Sequence, residues 1–171
     1  FRRAGSYWCY QEPFNEMLLK GKEDPEVLLE QNGDLYKKFR HPSMDRPYFH
    51  EYYDLVGSFA PYFKKSICYD QYFTREYDSH SDFCKYLNVL IDGAHARPVL
   101  QFCRSSGRVA TIKSHFDGVH IFLQRNPWDQ WWSYQTDYCF DRSNILIARC
   151  ENSPAYVTDV FKLLGDDTLH S

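Results

Sequence analysis

The segment HIFLQRNPWDQWWSY, from His120 to Tyr134, constrains the fold of this chain more than any other. An apolar run closes on Arg125, Pro127 cannot extend a strand ladder because it has no backbone N–H, and the residues after it have helical character. The pattern is strand, tight turn, helix. Ser133 lies eight residues after Arg125, so a helix starting at Pro127 can return its hydroxyl toward the arginine, and the two could hold one anion. Arginine supplies a planar fork for phosphate oxygens, and serine adds a neutral donor. Taken alone, the segment also reads as a surface arginine ahead of an amphipathic helix whose tryptophans are core.

The residues upstream extend the same logic. Arg97–Phe102 reads as a strand, Cys103–Arg108 as its exit loop, Ile112 and Lys113 as part of a helix, and Phe116-Asp117-Gly118 as the lead into a strand over Val119–Gln124. Parallel neighbours need a crossover of about this length, so the two strands are expected side by side, joined right-handedly through a helix over Arg108–His115. A longer helix from Ser81 or Asp82 to Ala94 carries Phe83, Tyr86, Leu87, Leu90 and Ile91 on one side and should pack on the sheet. Tyr7-Trp8-Cys9-Tyr10 reads as a further strand. Asn144–Ala148 fits helix or strand, and Ser153-Pro154 opens a last helix that ends at Gly165. The fold class expected is α/β, a parallel sheet flanked by helices.

Residues 21–80 read as helices and loops dense in aromatic rings. Asp24-Pro25-Glu26 is a helix start with a cap, a first-turn proline and an acid favouring the dipole, running through Leu35-Tyr36 and ending at His41-Pro42. Rings at the density of Tyr48, Phe49, Tyr52, Tyr53, Tyr62, Phe63, Tyr69, Tyr72 and Phe73 usually pack a core. They would also suit a lid or an acceptor groove, because tyrosine and tryptophan bind sugar faces while keeping a polar edge.

Composition narrows the alternatives. With 171 residues, 43% of them hydrophobic, the chain suits one domain over 1–171 with one core. A net charge of −3 offers nothing to nucleic acid in general, so an anionic ligand must be met by local clusters such as Arg104, Arg108, Lys113 and Arg125. No run approaches the roughly eighteen apolar residues of a membrane span, and no leader pattern is visible. The six cysteines, Cys9, Cys68, Cys84, Cys103, Cys139 and Cys150, form no CxxC pair and no zinc-type spacing with histidine, which argues against a metal site. Free thiols point to a reducing compartment, so cytoplasm is expected, with the Golgi lumen as the alternative. Cys139 with Cys150 is the one pair worth considering. Homo-oligomerisation is compatible with the sequence.

Arg125, Asn126, Pro127 and Ser133 together resemble the 3'-phosphate-binding signature of the sulfotransferases that use 3'-phosphoadenosine 5'-phosphosulfate, or PAPS: a strand ending in Arg, then Asn or Asp with Pro, then a helix with Ser eight residues after the Arg. The resemblance covers about Tyr86 to Gly165, is thinner over Tyr10–Met17, and is absent between. It implies a P-loop-type parallel sheet with an aromatic-rich helical insertion at about 21–80, PAPS as cosubstrate without a metal, and transfer of a sulfuryl group to a hydroxyl acceptor, a small molecule or a saccharide, as partner. Gln11-Glu12-Pro13-Phe14-Asn15-Glu16 resembles the segment after the second strand of carbohydrate-type members, where a glutamate is the base. By that likeness Glu12 is the base, Glu16 the second choice, and Arg125, Ser133 and Asn126 bind the cosubstrate. Cytosolic members use a histidine, but the matching loop from Cys103 to Arg108 has none, and His115 and His120 read as surface or edge residues.

Arg104 and Arg108 flank a Ser-Ser-Gly loop at the carboxyl end of a strand, where ligands of α/β sheets collect, so either could face a sulfated or carboxylated acceptor. Ser105 or Ser106 would cap the next helix. The family's second signature, a loop that wraps the 5'-phosphosulfate with backbone N–H groups, has no clear counterpart. Either Arg2–Ser6 is a degenerate remnant of it, or it lies upstream of Phe1; the second agrees better with a strand at Tyr7–Tyr10, because Pro13 leaves too little room for the helix such a loop requires. A non-catalytic remnant of this fold that binds a nucleotide or a protein partner is the alternative function. A P-loop kinase is the weaker third, since no GxxxxGK[ST] occurs.

Overall fold

The computed structural model describes residues 5–30, 46–74, 81–134, 145–150 and 152–163. The chain groups into two compact units, Phe1–Cys68 with Ser79–Ser105, and Tyr69–Asp78 with Ser106–Ser171. Together they hold helices and a small parallel sheet, a mixed α/β composition.

The first unit contains the sheet. Strand β1 (Tyr7–Gln11) pairs in parallel with β2 (Arg97–Gln101), in a register that sets Tyr7 against Arg97 and Gln11 against Gln101. Two parallel strands cannot be joined by a hairpin, and the long chain between them supplies the crossover as helical segments. These are α1 (Met17–Glu23), 3-10 turns at Pro25–Leu29 and His50–Leu55, the single-turn helices α2 (Val56–Phe59) and α3 (Lys65–Cys68), and α4 (Ser81–Asp92). Asp24 caps the first 3-10 turn as its sequence suggests, its carboxylate accepting from the Glu26 N–H at 3.1 Å. The expected continuation through Leu35-Tyr36 to His41-Pro42 lies outside the described residues.

The rings of residues 48–63 meet those of β1, the loop after it and α4 in one core. Tyr10, Phe14, Tyr52, Phe59, Phe63, Phe83 and Tyr86 are all buried, and α4 contributes Phe83, Tyr86, Leu87 and Leu90 at the i, i+3, i+4, i+7 spacing. Phe14 stacks on Phe83 with centroids 5.4 Å apart, and Tyr86 lies 4.8 Å from Phe63 and 5.8 Å from Phe59. Buried hydroxyls need partners. Tyr86 donates to the Pro13 carbonyl at 2.5 Å and Tyr52 to the Gln11 carbonyl at 2.8 Å, so two core tyrosines tie down the end of β1 and the loop beyond it. Burial, with nearby ionisable groups adding to it, holds both phenols far above their usual range.

The second unit contains a 3-10 turn at Ser106–Arg108, then α5 (Val109–His115), α6 (Pro127–Tyr134), one helical turn over 145–148, and α7 (Ala155–Leu163). Residues 145–148 thereby resolve the helix-or-strand ambiguity in favour of helix. Tyr72, Ile112, Ala148 and Cys150 are its buried apolar residues. Gly107 is required here, since a Cβ on it would lie 2.6 Å from the Tyr72 carbonyl oxygen and 2.5 Å from the Phe73 ring. Thr74 and Thr111 share a hydroxyl hydrogen bond of 2.6 Å across the same packing.

Val119–Gln124 departs from expectation. The segment forms no strand, and Val119, Ile121, Phe122 and Leu123 are exposed, Leu123 at 87%. The strand beside β2 among the described residues is β1. Strand-like composition expresses a fit to a pleated, half-buried surface; without a neighbour to satisfy its N–H and C=O groups, the segment has no ladder to join.

Cys9, Cys68, Cys84, Cys103 and Cys150 are thiols not joined in disulfides. Cys139 lies outside the described residues. No helix among the described residues is long and apolar enough to cross a membrane.

Candidate functional site

The chain leaves the sheet at Glu12. Its N–H donates to the Gln101 carbonyl at 2.9 Å, the last bond at the carboxyl end of the parallel pair, and its backbone then turns into the left-handed region at φ 42°. No other non-glycine residue among those described has positive φ. For an L-residue this conformation costs on the order of 1–2 kcal/mol, a strain that persists only where the surroundings impose it. Here the Gln101 bond fixes one side. The turn closed by the Asn15 N–H on the Glu12 carbonyl, 2.9 Å, fixes the other, and Phe14 is anchored in the core between them.

The Glu12 side chain is oriented at both oxygens. Asn15 Nδ2 donates to Oε2 at 2.7 Å, and the Tyr48 hydroxyl donates to Oε1 at 3.1 Å. Asn15 can present only its amide N–H₂ to the carboxylate, because its Oδ1 already accepts from the Met17 N–H at 2.9 Å at the start of α1. The helix start and the orientation of Glu12 are thus set by one side chain.

Cys103 and Arg104 follow β2 and complete the surroundings. With Glu12, Phe14 and Asn15 they line a surface dimple at the carboxyl end of the sheet, the side where ligands of parallel sheets bind, with no interior space even for a water molecule as the side chains stand. Loss of water around the Cys103 sulfur, and then the Glu12 charge beside it, push the thiol above its usual range, although the residue as a whole stays exposed. The Gln101 amide also reaches the sulfur at 3.1 Å. The Arg104 guanidinium pairs with the Glu16 carboxylate, which lies at the start of α1. Glu12, Glu16 and Arg104, three of the residues named from sequence, therefore come together in the first unit.

The other four belong to the second unit. Arg108 is fully buried, its Nε donating to the Gln71 carbonyl at 2.6 Å and its guanidinium 5.9 Å from the Tyr72 ring centroid. Such an arginine serves the interior of its unit and has no surface to offer an acceptor. Asn126 caps α6, its Oδ1 accepting from the Trp128 N–H at 2.9 Å, while Arg125 beside it is exposed. Ser133 lies in the last turn of α6, with its side chain outside the described residues. His115 and His120 each place a ring nitrogen 2.9 Å from a carbonyl, of Thr111 and Phe116 respectively.

Sequence reasoning missed Tyr48 and Cys103 as neighbours of Glu12. Asn15 had a local signal, an Asx residue three positions after Glu12 and two before a helix. Tyr48 had none, being thirty-six residues from Glu12 and joined to it only by packing. Among the described residues no group of three His, Cys, Asp or Glu side chains could hold a metal ion. No family model, curated protein or solved structure matches the chain.

Proposed function

We propose that this chain has the P-loop-type fold of a sulfotransferase that uses PAPS as donor and a hydroxyl compound, in particular a saccharide, as acceptor. The observation that carries the reading is Glu12, a carboxylate held under backbone strain at the carboxyl end of two parallel strands, with both oxygens oriented by neutral donors. Strain retained at one polar residue is characteristic of functional sites.

Glu12 takes the proton of the acceptor hydroxyl as its oxygen becomes the nucleophile, and Asn15 and Tyr48 keep the carboxylate aimed during that transfer. Arg104, on the rim of the same dimple, is the acceptor contact; the burial of Arg108 removes it from that role. Arg125, exposed next to the capped start of α6, presents the donor chemistry that suits the 3'-phosphate, and Ser133 is assigned to it by the spacing read from sequence. When bound, PAPS supplies an activated sulfuryl group, so the protein contributes chiefly positioning and charge stabilisation.

Two measurements on the full-length protein test this. Arg125→Ala should weaken binding of 3',5'-adenosine diphosphate in calorimetry by about 2–4 kcal/mol. Glu12→Gln should lower turnover by roughly a hundredfold to ten-thousandfold while leaving nucleotide affinity nearly intact. Unchanged affinity in the first and normal turnover in the second would refute the assignment. Arg125-dependent nucleotide binding without any turnover would favour a non-catalytic binding role.

A further inference from the structure

The large apolar side chains that the described residues leave exposed all belong to the second unit, and the run from Val119 to Leu123 holds four of them. Val119 is 83% exposed, Ile121 72% and Leu123 87%. The backbone is as open as the side chains. Among the described residues, no N–H or C=O from 119 to 124 takes part in a backbone hydrogen bond. Soluble proteins cover or interrupt such a segment, because unpaired backbone of strand-like composition is a template for another strand. A lipid surface would take the apolar side chains but leave the N–H and C=O groups without partners in hydrocarbon. A second strand satisfies both.

The sequence around this run is complementary to itself. In Asp117-Gly118-Val119-His120-Ile121-Phe122-Leu123-Gln124-Arg125, an antiparallel copy related by a two-fold axis at Ile121 sets Ile121 against itself, Val119 against Leu123 and Asp117 against Arg125. Side chains alternate between faces, so these positions share one face: three apolar side chains from each copy, closed at both ends by a pair of opposite charges. Neighbouring registers lose this match. A slip of one residue leaves Asp117 and Arg125 without an opposite charge, and a slip of two sets one of them against Leu123 or Val119. Asp117 and Arg125 are both exposed, and neither is in an ion pair among the described residues. Gly118, at φ 142°, lies between Asp117 and the apolar run and can change its backbone conformation at little cost.

We infer that the second unit docks on a second copy of this chain through an antiparallel two-stranded ladder over Val119–Leu123, centred on Ile121 and closed at each end by Asp117 of one copy and Arg125 of the other. Pairing gives the open backbone its partners, and removal of six apolar side chains from water supplies the driving force. The inference goes beyond sulfuryl transfer and does not depend on it. The end pairs are exposed and individually weak, so a phosphate at Arg125 displaces its partner without opening the ladder.

Sedimentation equilibrium of the full-length protein, without nucleotide, reads the dimer. A ladder of this size is a small interface, so a dissociation constant on the order of micromolar is expected. Ile121→Lys sets two like charges against each other at the axis and should weaken the dimer by about a hundredfold or more. Because Ile121 is exposed, circular dichroism of that variant should match the wild type. Asp117→Arg and Arg125→Asp should each weaken the dimer by about tenfold, and the two together, which restore opposite charges, should bring it back to within about threefold of wild type. Under mild oxidation Ile121→Cys should form a disulfide with the same position of the second copy, since residues directly opposite lie about 4.5–5.5 Å apart at Cα, whereas Leu123→Cys should not link to itself. A protein that stays monomeric up to about 1 mM, a dimer indifferent to Ile121→Lys, or a charge exchange without rescue would overturn the inference. So would a monomer that sediments with phosphatidylcholine vesicles in an Ile121-dependent manner, which would make lipid the occupant. None of these outcomes depends on sulfuryl transfer.

Discussion

Glu12→Gly should give a more stable protein than Glu12→Ala, against the ordinary expectation for these two residues. Both substitutions remove the carboxylate and its bonds from Asn15 and Tyr48, so the loss of those two partners is common to the pair and cancels. The remaining difference is the backbone at φ 42°. Alanine there carries the left-handed penalty of about 1–2 kcal/mol, which glycine does not. Glycine in turn loses about 0.5–1 kcal/mol more conformational freedom on folding than alanine. The balance favours glycine by about 0.5–1 kcal/mol, or about 1–4 °C in melting temperature for a chain of this size. Urea denaturation followed by far-UV circular dichroism reads the difference, provided the two variants share an m-value. Equal stability, or a more stable Glu12→Ala, would show that the backbone at this residue is not strained, and the argument that the fold maintains strain at Glu12 would fail.

The same geometry sets two further outcomes. Cys103 should react with iodoacetamide at pH 8 more slowly than an unstructured thiol, because its thiolate is disfavoured, and Glu12→Gln should speed the reaction by removing the adjacent negative charge; peptide mass spectrometry showing no change between the two proteins would place the thiol away from Glu12. Tyr86→Phe should destabilise the first unit by about 1–3 kcal/mol, because the buried Pro13 carbonyl loses its donor while the ring packing stays; a variant within about 0.3 kcal/mol of wild type would mean that the carbonyl finds another partner.

Local chemistry in the sequence determined the elements whose signals lie within a few residues. The Tyr7–Tyr10 run and Arg97–Gln101 became strands, Asp24 before Pro25 became a cap, the spacing of Phe83, Tyr86, Leu87 and Leu90 became the buried face of α4, and Asn126-Pro127 became the start of α6. Each depends on backbone geometry and side-chain reach over one or two turns, which composition encodes directly. Resemblance singled out Glu12, but nothing in the sequence disclosed its left-handed backbone or the approach of Tyr48 and Cys103. Those arise where the end of β1 meets β2 and the aromatic core, among residues thirty-six and ninety-one positions away in the chain. Val119–Gln124 shows the same divide from the other side. Its residues favour a strand, yet a strand exists only where a neighbour takes its hydrogen bonds, and that choice belongs to tertiary structure. Arg108 was read as a surface cation because charge is visible in sequence; only folding decided that it would be enclosed with Gln71 and Tyr72, since burial depends on which surfaces close over a side chain and not on the side chain itself.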